Sequence, residues 1–314
     1  MKVSRKSSPS SKLPVIRTIG IVLKEKDPHA LNLLKRLSPL LATTRRRFRF
    51  LIEGAAKSHG PSAKLHQITA KAQIILVLGG DGTLLRCAKA LLEKNAWQRC
   101  YLLGFNAGHL GFLTFVNQSE AQKCLESTLE KPAQARTERR ACLEIRVERK
   151  GKVIHEFHAL NDCVLTKGSL SRLFEFHIEV DRQFLSSYRA DGLIISTPTG
   201  STAYNLAAGG SIVEPNIPAM QLTPVCAQSL TSKPIVISDS RAVTLSLGRH
   251  STDVYLTIDG HTGLQVLGQD RIHITKSRKS IGFLVPPNIS SLHYFQSLRQ
   301  KLKWGSSLAW KASP

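Results

Sequence analysis

The feature that most constrains the fold of this chain is an apolar run that leads directly into a glycine-rich turn. Ile74–Leu78 is apolar at every position, as a central parallel strand covered by helices on both faces must be. Gly79–Thr83 follows without a spacer, and apolar residues at helical spacing begin at Leu84. The sequence therefore predicts a buried strand, a tight turn and a helix, which together form the repeating unit of a parallel α/β sheet.

Strands and helices continue to alternate on either side of this unit. Ile16–Leu23 and Tyr101–Phe105 are further apolar runs of strand length. Leucines at helical spacing follow Pro28, a residue suited to the first position of a helix, and another helical pattern covers Ala121–Leu129. This alternation predicts an N-terminal lobe with a doubly wound parallel α/β fold.

From about residue 140 the pattern changes. Apolar and charged residues alternate with a period of two, as in Leu143–Val147 and Phe174–Val180, which predicts half-buried strands and a β-rich C-terminal lobe. We predict a flexible basic tail at 1–13, the α/β lobe at 14–135, the β-rich lobe at 136–285 and a C-terminal segment at 286–314 that packs back on the first lobe. The fold class is α/β, and two lobes predict a site in the cleft between them.

The turn Gly79–Thr83 has the composition of an anion site. Amides and the dipole at a helix N-terminus attract phosphate, and glycine lets the ligand approach the backbone. The P-loop pattern is absent, and the dinucleotide pattern fails because Leu85 stands where a third glycine is required. A purely structural turn is the alternative. Asp81 favours a functional turn, because a carboxylate among phosphate-binding amides repels the ligand unless it binds Mg²⁺ or accepts a proton.

Further stretches carry polar groups next to predicted strands. Asn106–Leu113 follows a strand at the edge where open α/β sheets bind ligands, and its His109 is a candidate base or a packed capping residue. Asp191–Tyr204 combines a Pro-Thr-Gly turn with hydroxyls, which suits a phosphorylated or polyhydroxylated ligand but is also typical of a capped helix start. Asn161–Asp162 and Asp259 individually favour turn residues over ligands.

The charge and cysteine content narrow the functional classes. The net charge of +22 attracts anions in general, but fourteen Lys and Arg against three acids fall in residues 1–60, so much of the excess is local. Nucleic-acid binding is disfavoured, because no helix-turn-helix, zinc-finger or RNP-like pattern accompanies the charge. The chain has no long apolar run and no signal-peptide pattern, which predicts a cytoplasmic protein. The six cysteines lack metal spacing and are predicted to be buried free thiols.

Taken together, these motifs resemble the NAD kinase family, whose members use ATP or polyphosphate. The resemblance rests on Gly79–Gly82, the Asn106–Phe112 turn, Asn161–Asp162, the Asp191–Tyr204 segment and Asp259–Gly260, in their order and spacing. It covers about Ile19 to Trp304. The Gly-Gly-Asp-Gly part is shared with diacylglycerol and sphingosine kinases, whereas Ser196–Tyr204 and the Asn-Asp pair look specific to NAD kinases.

The resemblance implies a Mg²⁺-dependent transfer of the terminal phosphate of ATP, or a related donor, to the 2′-hydroxyl of the adenosine ribose of NAD. It implies Asp81 as the general base, a β-rich NAD-binding lobe, and a homodimer or homotetramer. Mg²⁺ is assigned to no residue firmly and to Asp81 as a possibility. Phosphate contacts are expected at Gly79, Gly80, Gly82 and Thr83. The implied NAD contacts are Asp81, Gly82, Arg86, Asn161, Asp162, Arg172, Arg189, Asp191, Thr202, Ala203, Tyr204, Asn205, Leu206, Ala207 and His261.

The chain departs from the family pattern at a few positions. Ala227–Gln228 stands where Pro-His is frequent, Lys233 where Arg is usual, and His261 where Gln is frequent. These departures concern substrate contacts and not the reaction. The rival hypotheses are a lipid kinase of the diacylglycerol or sphingosine type, which leaves Asp191–Tyr204 unexplained, and a non-catalytic nucleotide- or nucleic-acid-binding protein, which leaves Asp81 unexplained.

Overall fold

A computed structural model describes residues 13–53, 62–108, 111–168, 173–249, 251–290 and 292–304. The predicted tail up to residue 12, His109 and the expected NAD contact Arg172 lie outside these ranges. The chain divides into two compact units. The first runs up to Arg139 and resumes at Gly282, and the second is Arg140–Ile281.

The secondary structure follows the predicted change from alternating α/β to mostly β. The helices are α1 (Pro28–Thr44), α2 (Leu65–Lys71), α3 (Asp81–Glu93), α4 (Ala121–Glu130), α5 (Tyr204–Ala207) and α6 (His293–Lys301). The strands are β1 (Thr18–Leu23), β2 (Arg49–Glu53), β3 (Ser62–Ala63), β4 (Ile74–Gly79), β5 (Tyr101–Asn106), β6 (Arg136–Arg149), β7 (Lys152–Ala159), β8 (Asp162–Lys167), β9 (Phe174–Val180), β10 (Gln183–Ala190), β11 (Gly192–Ser196), β12 (Ala219–Val225), β13 (Ile235–Ser238), β14 (Val243–Leu247), β15 (Val254–Ile258), β16 (Thr262–Val266) and β17 (Asp270–Val285).

The first unit is built on a parallel sheet with the order β5-β4-β1-β2-β3. The last residues of β17 add a further parallel strand beside β5, with Gly282 opposite Tyr101. β4 is buried at all six positions, because α1 and α4 pack together over one face of the sheet and α2 and α3 over the other. Helices on both faces make the sheet doubly wound.

The start of α1 shows how the sequence sets these elements. Asp27 is its N-cap, and the Asp27 carboxylate accepts a hydrogen bond from the N–H of His29 at 2.9 Å. Pro28 occupies the first helical position, as predicted. Leucines at positions 33, 34, 37 and 41 then face the core.

The second unit contains two sheets that enclose one apolar core. One sheet is antiparallel with the order β13-β12-β11-β8-β15-β16, and the other contains β10-β9-β14-β17 with β6 and β7 beyond β17. Alternate residues of both sheets point inward, among them Phe176 on β9, Leu245 on β14, Ile195 on β11 and Leu256 on β15. The predicted fold class, a doubly wound α/β lobe followed by a β-rich lobe, is confirmed for each unit.

The cysteine prediction is confirmed at five positions and wrong at one. Cys87, Cys100, Cys124, Cys142 and Cys163 are buried, whereas Cys226 is exposed. Burial raises the pKa of Cys87 to about 12, so this thiol is not a nucleophile near neutral pH. In the part of the chain that the structure describes, no helix combines the length and apolar character needed to cross a membrane.

Candidate active site

Asp81 is the first residue of α3, and its carboxylate is held by the loop that follows β5. Oδ2 accepts a hydrogen bond from the N–H of Phe112 at 2.8 Å. Oδ1 accepts three, from the N–H of Leu113 at 3.1 Å and from the N–H and hydroxyl of Thr114 at 3.0 and 3.1 Å. A Cβ on Gly111 would overlap this carboxylate, which explains the glycine. The carboxylate is therefore fixed, and because Oδ2 accepts one hydrogen bond from the described residues, it keeps a lone pair that none of them occupies.

The turn before Asp81 leaves its backbone open. Gly80 is the N-cap of α3 with φ −107°, which other residues also adopt. Among the described residues, nothing lies within 4 Å of a Cβ placed on Gly80 or Gly82. Neither packing nor backbone conformation requires these glycines, so the free space fits a ligand that approaches the amides closely. Gly79 differs, because a Cβ placed on it would lie 2.7 Å from the Thr83 hydroxyl oxygen.

Asn106 connects the end of β5 to the same loop. Its side chain is 1% exposed. Its amide donates to the Thr114 hydroxyl at 3.3 Å, and its carbonyl oxygen accepts from the N–H of Gly108 at 2.7 Å. The Thr114 hydroxyl in turn donates to Asp81. This chain of hydrogen bonds ties the carboxyl ends of two neighbouring strands to one carboxylate.

Arg86 lies one turn further along α3 and is paired with a residue that the sequence analysis missed. Its guanidinium donates to both oxygens of Glu53, at 2.8 and 2.6 Å, and to the carbonyl of Leu23 at 3.4 Å. The Glu53 hydrogen bonds raise the pKa of Arg86 above its ordinary value. The side chain of Arg86 is 34% exposed, so it keeps N–H groups that can face an anion.

In the second unit, Asp259 organises the turn that carries Asn161 and Asp162. Its carboxylate accepts from the N–H of Leu160 at 2.9 Å, of Asn161 at 2.7 Å and of Asp162 at 3.1 Å. The N–H of Asp259 donates to the carbonyl of Asp162 at 2.9 Å. Asp259 is thus a structural anchor for the predicted Asn-Asp pair, a role that turn composition alone did not indicate.

The Asn161–Asp162 pair presents polar atoms that the described residues do not satisfy. The side-chain oxygen of Asn161 is buried and has no hydrogen-bond partner among the described residues. Asp162 is 5% exposed. Burial, and then the negative charge of Asp259, raise the pKa of Asp162 to about 7. The Asp162 carboxyl can therefore both donate and accept hydrogen bonds near neutral pH.

The segment from Ser196 to Ala207 packs against this turn. The N–H of Thr197 donates to the carbonyl of Asn161 at 2.8 Å, and a Cβ on Gly200 would overlap that carbonyl. Tyr204 is 50% exposed. Asn205, in contrast, is fully buried. Its side-chain amide donates hydrogen bonds to the carbonyls of Ser201 and Ser211 and accepts one from the Thr223 hydroxyl. Tyr204 is available to a ligand, while Asn205 fixes the shape of the segment.

Other expected contacts lie apart from the turn. Arg189 is exposed near the end of β10, and Asp191 is exposed just before β11. Asp162 lies opposite Ser196 at the far end of β11, five residues after Asp191 and roughly 16 Å away at the rise of a strand. The structure therefore does not bring these two residues to the Asn-Asp pair within this unit. The Nδ1 of exposed His261 lies 2.5 Å from the carbonyl oxygen of Asp259, so His261 is close to the turn.

No group of three or more His, Cys, Asp and Glu side chains within the described ranges could hold a metal ion. A lone carboxylate is nevertheless sufficient for Mg²⁺ that arrives with phosphates, because this ion keeps waters and takes few protein ligands. Asp81, with one free lone pair on Oδ2, fits that mode.

Comparisons with known proteins bear on this geometry. Residues 19–133 match the family model of the ATP-NAD kinase N-terminal domain, and residues 160–285 match that of the ATP-NAD kinase C-terminal domain. The chain is 37% identical over 294 residues to an NAD kinase of Solibacter usitatus, covering 93% of this chain and 99% of the relative. It is 42% identical over 238 residues to an NAD kinase of Geobacter sulfurreducens, covering 76% and 81%. The crystal structure of yeast NADH kinase complexed with NADH superposes with a TM-score of 0.85 at 25% identity, covering 98% of this chain and 95% of the yeast chain.

Proposed function

The chain belongs to the NAD kinase family, and from this membership we propose that it transfers the terminal phosphate of ATP to the 2′-hydroxyl of the adenosine ribose of NAD, giving NADP. The observation that carries the proposal is the Asp81 carboxylate, fixed by four hydrogen bonds beside two glycines that face open space. The expected homodimer or homotetramer is part of the same proposal.

The proposed reaction uses Asp81 as the general base. The free lone pair of Oδ2 accepts the proton of the ribose 2′-hydroxyl. At the same time, the 2′-oxygen forms a bond to the terminal phosphorus of ATP. The bond from that phosphorus to the bridging oxygen breaks, and ADP leaves with the bonding electrons. A positioned carboxylate of this kind contributes about 10²–10⁴-fold to the rate. The amides of Gly80 and Gly82 and the guanidinium of Arg86 are proposed to bind phosphate oxygens.

A Mg²⁺ ion bound to the triphosphate would reduce the repulsion between the phosphate oxygens. Asp81 would hold this ion through the free lone pair of Oδ2 only as an alternative to the general-base role. On the NAD side, the unpartnered oxygen of Asn161 and the titrating carboxyl of Asp162 are proposed to bind ribose or nicotinamide groups. Tyr204 offers an exposed ring next to small residues for the adenine.

A substrate assay tests the reaction. Purified protein with Mg²⁺ and ATP is incubated with NAD, NADH, diacylglycerol or sphingosine, and phosphorylated product is measured. NADP or NADPH is expected, and no phosphorylated lipid. Other triphosphates and polyphosphate replace ATP in parallel reactions to identify the donor. Lipid phosphorylation, or no phosphorylation of either dinucleotide with any donor, would refute the proposal.

Tyr204→Ala is expected to raise KM for NAD by about tenfold with little change in kcat, because one stacked base contributes about 1–3 kcal/mol to binding and a binding platform acts on ground and transition states alike. Steady-state kinetics measures both parameters. Tyr204→Phe should retain the wild-type KM. Phe184→Ala is the control, since Phe184 is an aromatic side chain 67% exposed elsewhere in the same unit. A fall in kcat at unchanged KM would contradict the assignment.

Arg86→Met is expected to raise KM for ATP or NAD by about tenfold, the equivalent of 1.4 kcal/mol. The substitution removes a cation that attracts the phosphate groups of the substrate, and it leaves the Glu53 carboxylate unpaired, which repels them. The pair is partly exposed, so the loss of stability should be only about 1–2 kcal/mol. Adding Glu53→Gln should restore part of the stability and of the affinity. If the double variant binds no better than Arg86→Met, the unpaired Glu53 charge is not the cause.

A further inference from the structure

Helix α6 contacts the loop that holds Asp81. Near its start, the ring of His293 lies 4.4 Å from the ring of Phe115. At its end, the Nζ of Lys301 lies 4.2 Å from the centre of the Phe112 ring. These contacts are eight residues apart on α6, roughly 12 Å along a helix. The helix therefore lies along the loop and contacts it at two separate places.

Phe112 connects α6 to the candidate base. Its ring lies under Lys301, and its N–H donates to Oδ2 of Asp81 at 2.8 Å. Oδ2 is the oxygen proposed to accept the substrate proton. A cation over an aromatic face is attracted by the electrons of the ring, so Lys301 restrains the residue whose amide orients that oxygen.

Arg299, on the same turn of α6, allows a specific role of Lys301 to be distinguished from a general stabilising effect of positive charge. Arg299 and Lys301 are both basic residues in the last turn of α6, where a cation favours the helix dipole. A dipole or solubility effect should therefore apply to both residues. In the described part of the chain, Lys301 and not Arg299 lies over the ring of Phe112.

We infer that Lys301 is a positioning residue for catalysis, acting through Phe112 on Oδ2 of Asp81. The inference rests on the proposed function. Lys301 acts on the orientation of the base and not directly on a reacting atom. Helix α6 thereby becomes part of the catalytic apparatus of the first unit.

Lys301→Met tests this role, because it keeps an unbranched apolar side chain and removes the charge. We expect kcat to fall by about two- to fivefold, the value of one exposed cation–π contact, with KM for NAD and ATP unchanged. Lys301→Arg should restore kcat, because guanidinium also binds aromatic faces. Arg299→Met is the matched control and should leave kcat at the wild-type value.

A double-mutant cycle tests the route through Phe112. Phe112→Leu removes the ring but keeps the N–H, so it should lower kcat by a similar factor, and Lys301→Met should then have no further effect. Independent effects of the two substitutions, or equal losses in Lys301→Met and Arg299→Met, would overturn the inference. Unchanged kcat in Lys301→Met would overturn it too. Failure of the proposed function is separate, since the wild-type protein would then phosphorylate neither NAD nor NADH.

Discussion

Asp81→Asn should lower kcat for NAD phosphorylation by about 10²–10⁴-fold, the usual contribution of a positioned general base. The geometry allows this substitution to remove the basic oxygen while most hydrogen bonds of the side chain are kept. An amide oxygen in the place of Oδ1 can keep its three hydrogen bonds from Leu113 and Thr114. The amide nitrogen takes the place of Oδ2, where it faces the N–H of Phe112 and has no lone pair for a proton.

The measurement is single-turnover formation of NADP, with calorimetric binding of NAD to show that the site survives. Loss of the one Phe112 hydrogen bond should cost only about 0.5–1.5 kcal/mol of stability. Glu93→Gln at the other end of α3 is the control for removing a negative charge from the helix. If Asp81 instead holds Mg²⁺, added metal should partly restore the variant. Near-wild-type turnover at every Mg²⁺ concentration would exclude both roles.

The part of the first unit that sequence predicts well is the part governed by local pattern. Ile74–Leu78 is apolar on both faces because helices cover both faces of β4, and Pro28 occupies the first turn of α1 because its ring suits that position. The turn Gly79–Thr83 could be predicted for the same reason, since glycines between a strand and a helix are a local signal. These features need no knowledge of distant residues.

The contacts that complete the site are not local, and the sequence pattern did not predict them. Asp259 binds amides 97 to 99 residues before it, and an Asp-Gly pair in a turn gives no sign of such a partner. Glu53 and Arg86 are 33 residues apart, with charges no different from those of any surface pair. Gly282, at the end of a long strand of mixed pattern, pairs with β5 in the parallel sheet only because the chain returns to the first unit.

Gln221 marks a further limit of sequence reasoning. It is 1% exposed, and both polar atoms of its amide lack a partner among the described residues. On β12 it lies opposite Ser196 of β11, which lies opposite Asp162 of β8. Because opposite residues of antiparallel strands share a face, the orphaned amide and the titrating carboxyl are on one face of this sheet. Polar residues within an apolar strand gave no signal of this arrangement.

Asp162→Asn should increase the free energy of unfolding at pH 8 while weakening NAD binding. The native pKa of about 7 exceeds the ordinary value of 3.8, since burial and the charge of Asp259 disfavour the carboxylate. The native state therefore binds more protons than the unfolded state between these pH values, and stability decreases as pH rises from about 4 to about 7. A shift of about 3 units corresponds to a cost on the order of 4 kcal/mol above pH 7.

The amide of asparagine does not titrate, so this cost should be absent in Asp162→Asn. Urea unfolding of wild type and variant should give similar stabilities near pH 4 and a difference of a few kcal/mol, in favour of the variant, at pH 8. Asp253→Asn, which changes an exposed carboxyl of the same unit, should not reproduce the difference. Calorimetry at pH 8 should show weaker NAD binding to Asp162→Asn, because the substitution removes the carboxyl group that is proposed to contact NAD. A variant with the wild-type pH dependence would mean that burial and the charge of Asp259 do not raise the pKa of the Asp162 carboxyl in the native state, and would contradict the prediction.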